Sequence, residues 1–316
     1  MLTVNPNPTI SISSSQNPTD AGNSVTFSSS ESGGTGTITY AWYVNGASEG
    51  SGVQLSYTFS SSGTYEIKLT VTDVDGHTAS AYLNETVNVV PSISISSSQD
   101  PTDIGNTVTF SSIASGGTTS YNYTWCVNSV VVGYSSSYST TFSSSGSNTI
   151  KVVLKDAVGN TASASLTETV NVDPSVTITS SQNPTDIGNT VTFTASGSGG
   201  TGSYTYQWYL NGAAVSGATS SSYSTSFSSS GTDSLYVVLT DGVSNTAQSS
   251  TLSETVNPDP TVSISSSQNP TDIGNTVTFT ASGSGGYLSS GSYNYTWLVD
   301  GQNLYGQTVT FSFTYH

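Results

Sequence analysis

The sequence predicts an all-β protein, a tandem array of small β-sandwich domains forming a semi-rigid rod. Three observations predict it: a long internal repeat, a hydrophobic period of two within each repeat, and no stretch with a 3.6-residue period. The string Gln-Asn/Asp-Pro-Thr-Asp begins at Gln16, Gln99, Gln182 and Gln268, at intervals of 83, 83 and 86 residues. The tryptophans Trp42, Trp125, Trp208 and Trp297 recur at 83, 83 and 89 residues, and Glu-Thr-Val-Asn begins at Glu85, Glu168 and Glu254. A unit of this length can close its own core, unlike the roughly 20–50-residue repeats that stack and share one.

Within the first unit the strand signals follow in order. Val25 and Phe27 open it. Ile38, Tyr40, Trp42 and Val44 alternate with Thr39, Ala41 and Tyr43, and the run stops at Asn45-Gly46, a hairpin-turn dipeptide. Leu55, Tyr57 and Phe59 form another short run. Tyr65, Ile67, Leu69 and Val71 then alternate with Glu66, Lys68, Thr70 and Thr72, and Val87 with Val89 supplies the last signal. About seven short strands around one central Trp describe an immunoglobulin-like β-sandwich, with the four tryptophans as repeat cores.

The repeats set the expected boundaries. Residues 1–7 match the last strand of a unit plus its junction, because Thr3-Val4-Asn5-Pro6-Asn7-Pro8 parallels Thr255-Val256-Asn257-Pro258-Asp259-Pro260. They are expected to be the last strand of a preceding or partner domain. Repeats 1, 2 and 3 then span 8–90, 91–173 and 174–259, and 260–316 is an incomplete fourth repeat lacking two strands. The junctions carry no spacer, since Thr169-Val170-Asn171 passes through Val172-Asp173-Pro174 into Ser175-Val176-Thr177-Ile178. Two readings of the ends stand open: a segment of a longer array, or head-to-tail assembly in which residues 2–7 of one subunit complete the fourth repeat of another by strand addition.

The run Gly63-Thr64-Tyr65-Glu66-Ile67-Lys68-Leu69-Thr70-Val71-Thr72-Asp73 resembles the penultimate strand of a polycystic-kidney-disease (PKD) repeat, and Ile150–Asp156 and Leu235–Asp241 keep the pattern. Where that family's most recognisable members carry Gly-Asp-Gly after the central Trp, this chain has Asn45-Gly46, Asn211-Gly212 and Asp300-Gly301. The resemblance implies an extracellular, cell-surface setting, and the Ser/Thr/Asn-rich, charge-poor style is similar to that of secreted archaeal surface proteins.

Composition narrows the function. Three Lys, no Arg and 19 Asp+Glu give a formal charge of −16, which opposes binding to nucleic acid or anionic lipid. Only 7% of residues are charged, and 66 Ser with 49 Thr supply the polarity instead. One Cys and two His exclude a disulfide framework and a Cys/His zinc site. No run of 18 apolar residues occurs, so no membrane insertion is expected in this segment, and no signal peptide is visible. Few ion pairs exist to be lost on acidification, which predicts tolerance to acid. The scarcity of charge also leaves strand edges open to assembly.

Candidate chemistry is sparse. Gly46-Ala47-Ser48-Glu49-Gly50 fits a nucleophile pattern that needs a strand-to-helix elbow and a His base; neither is expected here. His77 and His316 do not recur between repeats, so no catalytic residue, no enzyme and no cofactor are expected. Asp73-Val74-Asp75-Gly76 begins like a calcium loop but lacks the later ligands and reads as a turn. The better candidate for Ca²⁺ is interdomain, from Glu168, Asp173 and Asp186, set against a bulge or rim position for the Glu and turn-capping by Asp20, Asp103, Asp186 and Asp272. Asn84, Asn122 and Asn294 begin glycosylation sequons, and Asn122 and Asn294 have the parity opposite to Trp. Tyr43, Tyr209 and Tyr236 face outward by the same rule and offer a surface to sugars or a protein. The expected function is a non-enzymatic extracellular structural protein, building a cell-surface layer such as an S-layer, a filament or a stalk by self-association of copies, with covalent glycans. The alternatives are an adhesin or glycan-binding module, and spacer repeats of a secreted hydrolase.

Overall fold

A computed structural model describes residues 4–314. Those residues form thirty strands and no helix, in two compact units, Met1–Val170 and Asn171–His316.

The first repeat lies in the first unit and shows the pattern. Its strands are β1 (Thr9–Ser14), β2 (Thr19–Asp20), β3 (Ser24–Ser32), β4 (Thr39–Val44), β5 (Ala47–Gly50), β6 (Gln54–Thr58), β7 (Gly63–Thr72) and β8 (Thr78–Asn88). One sheet runs β1-β3-β6 and the other β2-β8-β7-β4-β5. The alternation read from sequence sends Val25, Phe27, Trp42, Val44, Ile67, Leu69 and Val71 between the sheets, where they are buried. Asn45 and Gly46 both take positive φ, 46° and 83°, as a two-residue hairpin of this twist requires. Trp42 donates from Nε1 to Gly52 O at 2.8 Å, so its one polar atom is satisfied inside the core.

Two elements differ from the sequence expectation. Residue Val89 lies beyond the end of β8 and is exposed, because the chain leaves the sheet at Asn88. β8 itself is an eleven-residue strand whose inward positions Ala79, Ala81 and Leu83 carry too little apolar bulk to read as a strand. Residues 4–8 belong to no strand, and residues 1–3, part of the expected N-terminal strand, lie outside the described residues, as does His316.

The second repeat, also in the first unit, has the same two sheets around the buried Trp125. In the second unit, the third repeat is equally closed around Trp208. The fourth is not. Its first sheet, Thr261–Ser266, Thr276–Ser284 and Thr308–Ser312, is present, but its second has only Thr296–Val299 and Gln302–Tyr305. Trp297 is therefore only partly buried. With Val299 of its own strand it lines an open apolar cavity of about 290 Å³ together with Ile264, Phe279, Val309 and Phe311 of the first sheet and Phe313 just beyond it.

Candidate functional site

The motif Gln16-Asn17-Pro18-Thr19-Asp20 carries the chain from one sheet to the other: β1 pairs antiparallel with β3, and β2 pairs parallel with β8. Asn17 substitutes for a strand at that crossing. Its Nδ2 donates to Asn84 O at 2.7 Å and its Oδ1 accepts the Thr86 N–H at 3.1 Å. Asn183 repeats both bonds, and Asp100 repeats the acceptor half with Thr169 N–H, which accounts for Asn or Asp here.

Asp20 ends the motif, and its carboxyl crosses to the second repeat. Oδ1 accepts from Thr118 Oγ1 and Oδ2 from Asn160 Nδ2, both at 2.8 Å. The same Thr118 hydroxyl accepts from Asn88 Nδ2 at 2.9 Å, and Gly117 N donates to Val89 O at 2.7 Å. Asp156 organises the receiving turn: its Oδ1 accepts the Val158 and Asn160 N–H groups and its Oδ2 the Thr118 N–H. Gly116 takes φ +68° and a Cβ there would lie 2.5 Å from Val90 O, so only glycine lets the linker pass this close. Asp20 and Asp156 are both buried, and the same two residues, Thr118 and Asn160, donate to both carboxyls and so set them side by side. Burial first, then the neighbouring Asp156 carboxyl, hold the Asp20 carboxyl above the usual range. Burial acts upward on Asp156 too, but the neighbouring Asp20 carboxyl and the three backbone N–H groups outweigh it and hold it below.

These contacts correct one sequence reading. The carboxyl of Asp20 does not cap its own turn; its backbone oxygen closes that turn by accepting the Asn23 N–H at 3.1 Å, which frees the side chain for the next repeat.

The residues expected to hold an interdomain Ca²⁺ fare differently. Glu168 has core register and is fully buried inside the second repeat, where Oε2 meets Ser97 Oγ at 2.8 Å, so it presents no ligand at a junction surface. In the second unit Asp173 is exposed and Asp186 is half-buried. Glu85 and Glu254 are buried as Glu168 is, each on a serine, Ser14 and Ser180. Ser14 Oγ lies 2.9 Å from Gln16 O and 2.8 Å from Glu85 Oε2. A hydroxyl has one proton and a carbonyl cannot donate, so both contacts are satisfied only when Glu85 carries a proton. Burial, partly offset by the serine, raises all three glutamates above the usual range.

In the first repeat Asp73, Asp75 and His77 each offer one ligand atom within 4.8 Å of the others. Asp73 is already engaged as a turn organiser, accepting the His77 N–H at 2.8 Å and the Thr35 N–H at 3.1 Å. Asn84, Asn122 and Asn294 are exposed. Tyr209 and Tyr236 stack at 4.6 Å and 7°, and Lys68 Nζ sits 5.6 Å from the rings of both Tyr43 and Tyr82. Ser48 of the nucleophile-like pattern is an exposed residue of the edge strand β5, paired with Tyr43.

The joint was missed because its partners lie 98 and 140 residues from Asp20 in sequence. A signal was present: Asp-x-x-x-Asn recurs at Asp156–Asn160 and Asp241–Asn245, and in the first repeat it reads Asp73–His77.

Residues 5–89 match the family described as the PKD domain. No curated protein matches the sequence. Among solved structures, a bacterial ice-binding adhesin concerned with host cell surface retention is 17% identical, over 80% of this chain and 98% of that one, with a TM-score of 0.40. The titin fragment I67–I69 is 14% identical, over 78% of this chain and 98% of that one, with a TM-score of 0.39. Fibronectin(III)-like modules of Clostridium thermocellum CbhA are 15% identical, over 51% of this chain and 94% of that one, with a TM-score of 0.32. The fold assignment itself rests on the paired sheets and the PKD match.

Proposed function

We propose that this tandem array of PKD-like, immunoglobulin-like sandwiches is a non-enzymatic extracellular structural protein that builds a cell-surface layer, filament or stalk. The observation that carries the reading is the joint of the first unit, where one repeat is tied to the next by buried side chains as well as by the linker. Such a joint serves a protein whose work is to hold a spacing. The hydroxyl-rich, charge-poor surface suits contact between copies, and the exposed sequons Asn84, Asn122 and Asn294 suit covalent glycans. Immunogold labelling of intact cells and electron microscopy of purified chains test it: regular lattices or filaments at the cell surface are expected, and dispersed intracellular protein would sink it.

In its finer form the reading has copies joined by strand addition at the apolar face of the fourth repeat, around Trp297 and Phe311. Sedimentation tests that form: end-to-end oligomers weakened by Val4→Asp are expected, and a concentration-independent monomer contradicts it. A second reading, an adhesin or glycan-binding module, is favoured by the stacked Tyr209–Tyr236 pair and the Tyr43–Lys68–Tyr82 cluster. Glycan-array binding lost in Tyr209→Ala supports it. Spacer repeats of a secreted hydrolase remain the third, decided by whether the parent gene encodes a hydrolase domain.

A further inference from the structure

Two buried carboxyls meet at the joint of the first unit, and among the described residues no lysine or histidine pairs with either. Asp20 comes from the end of β2, and Asp156 from the turn that receives it. Around Asp20 stand Asn88 at the end of β8, Thr118 on the linker side of the second repeat and Asn160 on the Asp156 turn, none of them titratable. Lys155, on the strand leading into that turn, is exposed. Every carboxylate oxygen of the pair already faces donors: Thr118 Oγ1, Asn160 Nδ2, and the N–H groups of Thr118, Val158 and Asn160. A shell of donors is the reverse of what a metal ion requires, since a cation needs oxygens with free lone pairs turned inward. Two carboxylates held together out of water cannot both stay ionised.

We propose that the joint between the first two repeats is a proton-bridged carboxyl pair, Asp20 sharing one proton with Asp156, and that its grip loosens as the pH rises. The proton sits on Asp20, which then donates to Asp156 while still accepting from Thr118 and Asn160. The opposed directions of the two groups, Asp20 up and Asp156 down, agree with that placement. The sign follows. A carboxyl raised in the folded state stabilises fully below its unfolded value, near pH 4, and that contribution is lost as pH rises through the folded value. Above it, like charges face each other across the joint. The inference rests on the reading of this contact as a structural joint.

The test uses the full chain with Cys126→Ser, and spin labels at Glu49→Cys in the first repeat and Ser165→Cys in the second, both exposed positions. Pulsed electron resonance then reads the spread of distances at pH 4 and pH 8. The wild-type pair is expected to give a narrow distribution at pH 4 that broadens at pH 8. Asp20→Asn, whose amide donates to Asp156 at every pH, is expected to remove the pH dependence. Thr118→Val, which removes one of the donors to Asp20, should broaden the distribution even at pH 4. An infrared difference spectrum, wild type minus Asp20→Asn at pH 4, is expected to isolate one buried carboxylic-acid band against the background of the other acids, a readout independent of the labels. A distribution equally narrow at both pH values overturns the proton bridge and leaves the joint; one equally broad at both overturns both. Narrowing at pH 8 by Ca²⁺, reversed by a chelator, also overturns it, because a cation would then hold the pair.

Discussion

The third and fourth repeats belong to one unit and share the identical run Thr-Val-Thr-Phe-Thr-Ala-Ser-Gly-Ser-Gly-Gly, at 190–200 and at 276–286, yet only one of them closes. Both tryptophans satisfy their indole N–H in the loop that follows their own hairpin, Trp208 to Ser220 O and Trp297 to Gly306 O. Trp208 is buried where strands Gly231–Thr240 and Leu252–Asn257, in its own sheet, extend that sheet and set Leu235, Val237, Leu239 and Val256 in the same core. Among the described residues no such strands accompany Trp297. The edge responds as well: Thr185–Asp186 pairs with Val256–Asn257, whereas Thr271–Asp272 forms no strand. The tryptophan hairpin is thus a local structure, and the core is a property of the last two strands.

The sharpest way to break that comparison is to remove each tryptophan in turn. Trp208→Ala should destabilise the third repeat by about 3–5 kcal/mol, and Trp297→Ala should cost the fourth distinctly less, measured by amide exchange repeat by repeat. Equal losses would mean that the last strands do not make the core.

Next in size are the linker glycines, which should not discriminate between the repeats. A Cβ at Gly199 would collide with Asp173 O, and one at Gly285 would lie 2.5 Å from Asp259 O, each at positive φ. Ala at either position should cost about 1–3 kcal/mol, and a large difference would show that the linker contact depends on the missing cover.

A smaller effect separates the repeats by pH. Glu254 is buried with its carboxyl raised by burial, so its contribution is complete below about pH 4 and declines as pH rises through the folded value. The third repeat should therefore lose stability between pH 4 and pH 7 and Glu254→Gln should flatten the loss; residues 260–316, which contain no glutamate, should show none of it. A third repeat that gained stability over that range would reverse the sign. Asp73, held low by N–H donors against its burial, acts in the opposite sense in the first repeat, where stability is lost only on strong acidification. The smallest effect belongs to the surface: Tyr209→Ala removes the stack on Tyr236, about 0.5–1.5 kcal/mol, and Leu298 at the same place in the fourth repeat leaves nothing comparable to lose.

What sequence could reveal follows the same division between local and distant contacts. Alternation around Trp42, the Asn45-Gly46 hairpin and the repeat length are local, and they were legible. Glu168 at core parity was legible as an acid in the wrong place, but its neighbour Ser97, 71 residues away, decides what it does. β2 was invisible because two residues, Thr19 and Asp20, carry no period, and the destination of Asp20 lies in another repeat. The acid tolerance expected from scarce ion pairs acquires a direction here, since the raised acids Asp20, Glu85, Glu168 and Glu254 favour the folded state at low pH.

The central claim, that the chain is a jointed array of separately folded sandwiches whose closure depends on the last two strands, is tested most directly by stretching single molecules comprising residues 1–316. Three similar unfolding events are expected, each releasing a repeat of 83–86 residues at about 3.3–3.6 Å per residue, with the fourth repeat yielding at distinctly lower force. Four equal events, or one cooperative rupture of the whole chain, would contradict it.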